Sequence, residues 1–371
     1  MIEILFFVVL VPQVVFTLIV IYNFLSKINL RWISTALPLT EKISILIPFR
    51  NEEKNVKDCL ESVLNQEGIK NFEIICLNDN SEDETEELLL EFSKKYSVIK
   101  IIDGKPLPEG WIGKNWACHQ LAENSSGDYL VFLDADVRLN RKAIISALLK
   151  MKKLKVSMLS VFPTQIMKSL SEYLIVPSMN WLLLTFLPLK FVYKFSHPSF
   201  VAANGQFIVF EREAYFSIGG HKSVKDKFVE DMELARLFKK NGYRIVTLLG
   251  GNLIFARMYQ NFKEAINGFS KNFFPGFNTS YFAFTIFLVL IFLCFLVPFI
   301  FVFFSIYFLI IIGLIFVQKI IISLISHQKI FHNLILNPIQ FLIVVYVGFR
   351  SMIFTHKGKL EWKGRRLISK S

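Results

Sequence analysis

The sequence predicts an α/β domain built on a mostly parallel sheet, flanked on both sides by apolar segments long enough to cross a membrane. Two observations predict this fold class. Short β-branched runs alternate with amphipathic helical stretches between residues 41 and 279, as expected when helices cover a parallel sheet. Uncharged segments lie near both ends of the 371-residue chain, and 53% of all residues are hydrophobic, which exceeds the usual fraction in soluble domains.

The first apolar segment is predicted to be an uncleaved membrane anchor over residues 1–26. Residues 6–25 carry no charge, and about 20 helical residues cover the ~30 Å hydrocarbon core. Glu3 precedes the segment, and Lys27 and Arg31 follow it, whereas a cleaved signal peptide has its basic residues first. By the positive-inside rule, the same basic residues put the following domain in the cytoplasm of a multi-pass cell-membrane protein.

The second apolar region, residues 281–354, has room for two or three further spans. Lys319 is the one charged residue between positions 281 and 325, and residues 330–349 carry no charge. A basic tail over residues 355–371 follows and favours the cytoplasm. Because four spans would return that tail to the outside, we expect one C-terminal segment to lie in the interface or to re-enter.

The net charge of +12 is attributed to contact with anionic lipid rather than with nucleic acid. Much of the excess lies beside the apolar segments and in the basic tail, where lipid head groups attract it. The four cysteines form no CxxC pair, so they indicate neither a zinc site nor a disulfide framework.

Polar residues follow three of the predicted strands at the point where each strand ends. The strands are predicted at residues 43–47, 72–77, 98–102 and 129–133, with helices over residues 53–66 and 81–96. The polar residues after the first, second and fourth strands are Arg50, Asn51, Glu52 and Glu53; Asn78, Asp79, Asn80 and Ser81; and Asp134 and Asp136. Ligands of such sheets bind at the carboxyl ends of the strands. The sequence therefore predicts one binding site at this edge.

Asp134 and Asp136 stand one residue apart at a strand end. Both carboxylates can there reach a divalent cation, Mn²⁺ or Mg²⁺, that bridges the oxygens of a diphosphate. A turn or a helix-capping pair has the same spacing. The preceding apolar strand and the two other polar strand ends favour the metal hypothesis.

Asp79 and Lys114 are further candidates for contact with a nucleotide. Asp79 can accept a hydrogen bond from a nucleobase N–H or can simply belong to a helix cap, and the two roles are compatible. Lys114 follows Gly110 and Gly113 before a helical stretch, where it can hold phosphate charge. The full GxxxxGK[ST] spacing is missing, which excludes a P-loop ATPase.

Two later motifs indicate a cleft. Gly219 and Gly220 precede His221, and adjacent glycines allow the backbone to approach a ligand, although a plain turn has the same sequence. Glu230 and Asp231 open a predicted helix, where a carboxylate can accept the proton of an acceptor hydroxyl. A first turn that only stabilises the helix dipole is the alternative.

Taken together, these motifs resemble the family 2 glycosyltransferases of the GT-A fold, a Rossmann-like mostly parallel sheet. The resemblance rests on the segment from Pro48 to Glu53, the Asp79 loop, Asp134-Ala135-Asp136 and Glu230-Asp231. Further segments are similar to carotenoid-glycosylating and hopanoid-associated members, namely Gly110 to Lys114, Gly219-Gly220-His221, Arg257 to Gln260 and Glu361 to Arg365. The resemblance covers nearly the whole chain.

The resemblance implies a role for each of these positions. Asp231 would be the general base, and Asp136, assisted by Asp134, would coordinate the divalent cation. The residues implied on the donor side are Pro48, Arg50, Glu52, Asp79, Lys114, Asp134 and Arg257. Those implied on the acceptor side are Gly219, Gly220, His221, Glu230, Trp362 and Arg365.

The implied activity is inverting transfer of a single sugar, glucose from UDP-glucose, to a lipid acceptor such as a carotenoid carboxylate. Asn78 and Asn80 around Asp79 depart from the family's DDxS form. The QxxRW motif of processive synthases is absent, which argues against polymer synthesis. A hopanoid, a polyprenyl phosphate, or a glycerolipid or ceramide remains an alternative acceptor, and a non-catalytic nucleotide-binding scaffold or transporter is the alternative of another class.

The stretch from Ser171 to Phe195 is informative about an apolar acceptor. It is too broken by Pro177 and Pro188 for a clean span, yet it is apolar enough to lie against lipid. A buried core helix is the alternative. The sequence does not indicate an oligomeric state.

Overall fold

The structure is a computed structural model. It describes residues 2–33, 39–358, 361–362 and 365–366, and of the last two pairs it describes the backbone alone. The strands are β1 Ile43–Phe49, β2 Phe72–Asn78, β3 Ile99–Asp103, β4 Tyr129–Leu133, β5 Val137–Leu139, β6 Met158–Phe162, β7 Thr164–Gln165, β8 Phe207–Glu211, β9 Ile245–Leu249, β10 Ile254–Ala256, β11 Glu361–Trp362 and β12 Arg365–Arg366.

The α-helices are α1 Ile2–Leu25, α2 Glu53–Leu64, α3 Thr85–Lys95, α4 Gly113–Glu123, α5 Ala143–Leu154, α6 Leu170–Ile175, α7 Pro177–Phe186, α8 Phe191–Lys194, α9 Arg212–Ser217, α10 Glu230–Lys240, α11 Phe262–Phe277, α12 Tyr281–Phe295, α13 Val297–Phe301, α14 Phe308–Ile325, α15 Ile330–Ile335 and α16 Asn337–His356. A 3-10 helix covers Gly220–Val224.

The chain divides into two compact units. The α/β unit is formed by Asn29–Thr164, Val192–Arg257 and Glu361–Ser371, and the apolar unit by Met1–Ile28, Gln165–Phe191 and Met258–Leu360. The predicted limits of 41–279 for the α/β domain stay a prediction.

The α/β unit contains a seven-stranded sheet in the order β3-β2-β1-β4-β8-β6-β9. β1 is parallel to both β2 and β4, β2 is parallel to β3, and β6 is parallel to β9. β8 runs antiparallel to β4 and to β6. The four strands predicted from the sequence are β1 to β4, and the predicted α/β class with a mostly parallel sheet is confirmed.

The central strand β1 explains why the polar strand ends meet. Ile43, Ile45 and Ile47 are fully buried, and each such side chain contributes roughly 1.5–3 kcal/mol relative to exposure. Strands buried on both faces read as continuous apolar runs, as this one does. Because β1 lies between β2 and β4 in parallel register, the residues that follow Phe49 and Asn78 emerge at one edge with those that follow β4.

A small second sheet has the strand order β5-β10-β7. Its first strand, β5, begins directly after Asp136. β5 and β10 are antiparallel, with Val137 opposite Ala256. The pairing brings the residue after β10, Arg257, beside Asp136, and the Arg257 N–H donates to the Asp136 carbonyl at 3.4 Å.

The apolar unit contains four helices that are long and apolar enough to cross a membrane, within the part of the chain that the structure describes. They are Ile2–Leu25, Tyr281–Phe301, Phe308–Ile325 and Asn337–His356. The first is the predicted anchor, and the other three lie in the region where two or three spans were predicted. The chain is accordingly a membrane protein, and an interfacial or re-entrant C-terminal segment stays a prediction.

The predicted ambiguous stretch forms α6 and α7, which belong to the apolar unit. Trp181 is 1% exposed, and its ring contacts those of Phe295 and Phe341 at centroid distances of 4.8 Å. Phe186 packs on Phe16 of α1 at 4.9 Å. One face of α7 is therefore buried among the apolar helices.

Candidate active site

The loops after β1 and β2 are held together by the Arg50 side chain. Arg50 is buried, and its Nη1 donates to the carbonyl oxygens of Asp79 at 2.6 Å and Asn80 at 3.1 Å. The Asp79 N–H donates to the Phe49 carbonyl at 2.8 Å. Asp79, which is 3% exposed, is therefore fixed through its backbone to the end of the neighbouring strand.

Two asparagines permit the turns in these loops. Asn51 and Asn80 both have φ near 51°, a left-handed conformation that asparagine adopts more readily than most residues. Asn51 Oδ1 also accepts from the Glu82 N–H at 2.8 Å, and the Glu52 N–H donates to Thr85 Oγ1 at 2.8 Å. The left-handed conformation at Asn80 thus gives a local backbone reason for asparagine at this position.

Asp136 has one satisfied and one unsatisfied carboxylate oxygen. Its Oδ2 accepts from Gln206 Nε2 at 2.8 Å, whereas its Oδ1 is buried without a hydrogen-bond partner. Burial, followed by the nearby charges of Asp134 and Glu52, raises the pKa of Asp136 to about 7. A buried carboxylate oxygen with no partner is costly and is suited to a cation ligand.

Lys114 lies between two carboxylates from different parts of the chain. Its Nζ is 2.9 Å from Asp134 Oδ2 and 3.4 Å from Glu230 Oε1. Burial lowers the pKa of Lys114, but Asp134 and Glu230 outweigh that effect and hold it well above its ordinary value. The ammonium group therefore stays charged and joins the end of β4 to the start of α10.

Asp231 is held at the start of α10 by two backbone donors. Its Oδ2 accepts from the Gly205 N–H and its Oδ1 from the Met232 N–H, both at 2.7 Å. Burial first, and then the charge of Glu230, raises the pKa of Asp231 to about 7. A carboxylate whose pKa lies near neutrality can exchange a proton with a substrate.

Gly205 lies where the two carboxylates of α10 approach Lys114. A Cβ at this position would lie 3.0 Å from Lys114 Nζ, 3.2 Å from Glu230 Oε1 and 3.6 Å from Asp231 Oδ2. The glycine thus leaves room for the three charged groups to converge.

The two glycines before His221 allow a tight left-handed turn of the backbone. Gly219 and Gly220 have φ of 81° and 51°, and a Cβ on Gly220 would lie 2.5 Å from the Tyr215 ring. The turn brings His221 Nδ1 to 2.7 Å from Tyr215 Oη, which also accepts from the His221 N–H at 3.1 Å. Burial and the charge of Lys114 lower the pKa of His221 to about 3, so the imidazole is neutral.

One pocket collects six of the predicted site residues. Its lining includes Pro48, Lys114, Asp134, His221, Glu230 and Asp231, together with Gly205 and apolar side chains from β4 and β8. Asp136 adjoins this group through Gln206, which precedes β8. Arg50, Glu52 and Asp79 lie in the loops at the same sheet edge. The side chains of Trp362 and Arg365 lie outside the described residues.

Three residues that support the site were not among the predicted positions. Gln206 holds Asp136, Tyr215 orients His221, and the Asn115 amide donates to the carbonyls of Val224 at 2.8 Å and Lys227 at 2.9 Å. Gln206 follows Gly205 in a segment whose polar residues precede an apolar run, a pattern visible in the sequence. Asn115 acts through contacts distant in sequence, and Tyr215 lies six residues before His221 in a turn that the sequence pattern does not specify.

The sheet and its acidic strand ends define a domain of the GT-A class. Residues 44–215 match the family model described as Glycosyl transferase family 2. A mannosyltransferase from Pyrobaculum calidifontis, solved in complex with GDP-Man and Mn²⁺, superposes with a TM-score of 0.55 at 12% identity. That superposition covers 96% of this chain and 99% of the other, and it supports the fold alone.

Two similar curated proteins are named 4,4'-diaponeurosporenoate glycosyltransferase. The protein from Staphylococcus haemolyticus is 29% identical over 238 residues, which are 63% of this chain and 61% of that protein. The protein from Staphylococcus aureus strain USA300 is 29% identical over 245 residues, with the same shares of 63% and 61%. The matched part of the chain thus spans about three fifths of the length of these relatives.

Proposed function

We propose that this chain is a membrane-bound, inverting glycosyltransferase that moves one glucose from UDP-glucose to a carotenoid carboxylate. The observation that carries the proposal is the convergence of Lys114, Asp134 and Asp231 on one pocket at the carboxyl edge of the sheet. The acceptor follows the names of the two staphylococcal relatives. The donor and the single transfer follow the family resemblance of the motifs.

The donor side is assigned to the loops after β1 and β2. Asp79 is buried and its backbone is fixed by Arg50, which suits a carboxylate that accepts a hydrogen bond from a nucleobase. Lys114 provides a permanent positive charge beside Asp134, which suits contact with a diphosphate. Arg257, whose backbone N–H donates to the Asp136 carbonyl at 3.4 Å, is assigned to the same side because the family resemblance implies a basic residue on the diphosphate at this position.

The acidic pair fits a divalent cation. Asp136 Oδ1 is buried without a hydrogen-bond partner, and Asp134 lies two residues away at the same strand end. Clusters of three or more His, Cys, Asp or Glu side chains that could hold a metal ion do not occur among the described residues, so two carboxylates are assigned here. A bound Mn²⁺ or Mg²⁺ would act as a Lewis acid that neutralises the departing diphosphate.

Asp231 is assigned as the general base. Its pKa of about 7 allows Asp231 to take the proton of the acceptor, which is bound as the carboxylic acid, near neutral pH. As the acceptor oxygen bonds to the anomeric carbon, the bond from that carbon to the diphosphate oxygen breaks, and UDP leaves. One direct displacement inverts the configuration and needs no covalent nucleophile on the protein.

The acceptor side is assigned to the opposite part of the pocket. Tyr215 Oη accepts from the His221 N–H and lies 2.7 Å from His221 Nδ1, and these two contacts fix the orientation of the neutral imidazole. His221 lines the pocket with Asp231, so it is assigned to the acceptor side. Because the acceptor is a lipid, we assign the enzyme to the cell membrane, with the α/β unit in the cytoplasm as Lys27 and Arg31 favour.

The test is a transfer assay with the purified full chain in detergent. UDP-glucose and Mn²⁺ are supplied with a carotenoid carboxylate, a hydroxylated hopanoid or no lipid, and released UDP and the lipid product are measured. Release that requires the carotenoid carboxylate, with an inverted anomeric centre in the product, is the expected result. Release of UDP with the hopanoid alone would show that the acceptor is a hopanoid and would overturn the proposed carotenoid acceptor. Binding of UDP-glucose without release of UDP with either lipid would contradict the proposal.

A further inference from the structure

Lys319 is a buried cation in a helix that is otherwise uncharged. It lies within α14, one of the four helices apolar enough to cross a membrane, and it is 3% exposed. No ion pair involves Lys319 in the part of the chain that the structure describes. An uncompensated charge at such a position is costly, so its presence calls for a functional explanation.

Lys319 begins a chain of hydrogen bonds through buried amide side chains. Its Nζ donates to Gln340 Oε1 at 2.7 Å, and Gln340 Nε2 donates to Asn333 Oδ1 at 3.1 Å. Asn333 Nδ2 in turn donates to Gln328 Oε1 at 2.8 Å. Each link uses an amide oxygen as the acceptor, so the oxygens of this chain are already occupied.

The donors at both ends of this chain exceed the acceptors. Gln328 Nε2 is buried without a hydrogen-bond partner, and so is Trp181 Nε1. Lys319 has three N–H groups and one oxygen acceptor. Its other contacts are the faces of the Phe341 and Trp181 rings, 4.7 and 5.8 Å from Nζ to the centroids. The cluster therefore has a positive charge and spare N–H donors, and each of the amide oxygens in the chain already accepts a hydrogen bond.

Helix association alone does not require the charge. The neighbouring residue on α14, Gln318, joins α14 to α1 with neutral groups, donating from Nε2 to Gln13 Oε1 at 2.7 Å and to Thr17 Oγ1 at 3.0 Å. Neutral amides of this kind supply the interhelical hydrogen bonds that membrane helices need. Lys319 adds one hydrogen bond, to Gln340 of α16, which a neutral donor could equally supply, and a charge that attracts an anion.

We propose that the cluster of Lys319, Gln340, Asn333, Gln328 and Trp181 binds the anionic head group of an amphiphile from the bilayer. Carboxylate or phosphate oxygens supply the missing acceptors and the missing negative charge. The orphaned amide oxygen of Asn337, which is 0% exposed, is suited to a hydroxyl or water that accompanies such a head group.

The experiment measures binding to the full chain in phosphatidylcholine nanodiscs. The probes are oleate, phosphatidic acid, the neutral analogue oleyl alcohol, and inorganic phosphate without a lipid tail, each scored by retained ligand and by the shift in Tm. We expect oleate or phosphatidic acid to bind and to raise Tm, and oleyl alcohol and inorganic phosphate to do neither. Equal binding of oleyl alcohol would overturn the anionic site, and equal binding of inorganic phosphate would overturn the bilayer source.

Variants of the cation separate this site from general attraction of anions. Lys319→Met should weaken binding of the anionic amphiphile at least about tenfold, while Lys319→Arg should retain most of it. Lys329→Met, which removes the same charge from an exposed position on the apolar unit, is the matched control and should bind as the wild type does. Unchanged binding by Lys319→Met would refute the proposal.

A folded Lys319→Met protein is itself expected. Lys319→Met removes a costly buried charge but also leaves Gln340 Oε1 without its donor, which opposes that gain, so Tm without amphiphile should stay close to that of the wild type. Should this variant fail to fold, the selectivity of the wild type between oleate and oleyl alcohol still decides the proposal. If the proposed head-group site is refuted, the proposed sugar transfer still stands, because the transfer assay above does not depend on binding at Lys319.

Discussion

The backbone N–H of Gly205 donates to Asp231 Oδ2 at 2.7 Å, and this contact fixes the carboxylate at the start of α10. Gly205 lies just before β8, so this hydrogen bond joins the sheet to the start of α10. The same glycine leaves space for Lys114 and Glu230. Proton acceptance and charge placement thus depend on a position without a side chain.

Asp231→Asn should abolish sugar transfer while leaving the fold intact. The asparagine Oδ1 can still accept from a backbone N–H, but the amide cannot take a proton, so kcat should fall by about 10²–10⁴-fold. The checks are the transfer rate and the affinity for UDP-glucose by calorimetry, which should be unchanged. Asp226→Asn, at an exposed position just before α10, is the matched control. Loss of donor binding in Asp231→Asn would refute its assignment as the base.

Gly205→Ala should yield a folded protein with impaired transfer. The added methyl meets the flexible ends of Lys114 and Glu230 rather than the backbone, so these groups can move aside. Their displacement disturbs the placement of the charges around the substrate, which typically costs about 10²-fold in rate. Transfer kinetics and Tm, measured together, check this prediction. Gly276→Ala, where a Cβ meets nothing within 4 Å, is the control and should keep full activity.

The strands of the donor side could be predicted because their signal is local. β1 and β4 are apolar runs that end in polar residues, and parallel pairing brings such ends together. The Asp134-Ala135-Asp136 spacing and the start of α10 at Glu230 were visible for the same reason. Those elements were predicted to within a few residues.

Other features depend on contacts that the sequence does not express locally. The interaction of Lys114 with Glu230 joins positions more than a hundred residues apart, and the Tyr215–His221 pair requires two left-handed glycines. Whether Ser171–Phe195 lies against lipid or forms a buried core helix also stays open from the sequence, because a broken apolar helix packs equally well against protein or lipid. The packing of Trp181 against Phe295 and Phe341 shows that one face of α7 is buried against apolar helices.

The transfer rate should rise with pH through about 7. Asp231 acts as a base only when it is ionised, and its pKa of about 7 is raised by burial and by Glu230. Below that pH, kcat/KM should fall about tenfold per unit, and above it the rate should level off. His221, with a pKa of about 3, stays neutral over this range. The profile is measured at saturating Mn²⁺ from about pH 5, roughly two units below the pKa, to about pH 8. A flat profile over this range would contradict the assignment.

Replacing Glu230 should shift that profile. Glu230→Gln removes the negative charge that helps raise the pKa of Asp231, so the acidic limb should move to lower pH. Burial remains as the larger cause, and the shift should therefore be partial, about one pH unit or less. The kcat/KM profiles of the two proteins test this, with Glu233→Gln on the next part of the same helix as the control. An acidic limb that moves to higher pH would exclude the electrostatic explanation.

Asp136→Asn should stabilise the protein against heat at neutral pH while it removes activity. The folded pKa of Asp136, about 7, lies above the unfolded value of about 3.9. Protonation therefore stabilises the fold, and this stability is present below about pH 4 and is lost as the pH rises through about 7. Asparagine stays neutral and keeps an oxygen for Gln206, so its advantage over the wild type should be small near pH 4 and greatest above pH 7. Tm measured in chelator at both pH values checks this, with Asp226→Asn as the control. An advantage that shrinks as the pH rises would contradict the raised pKa.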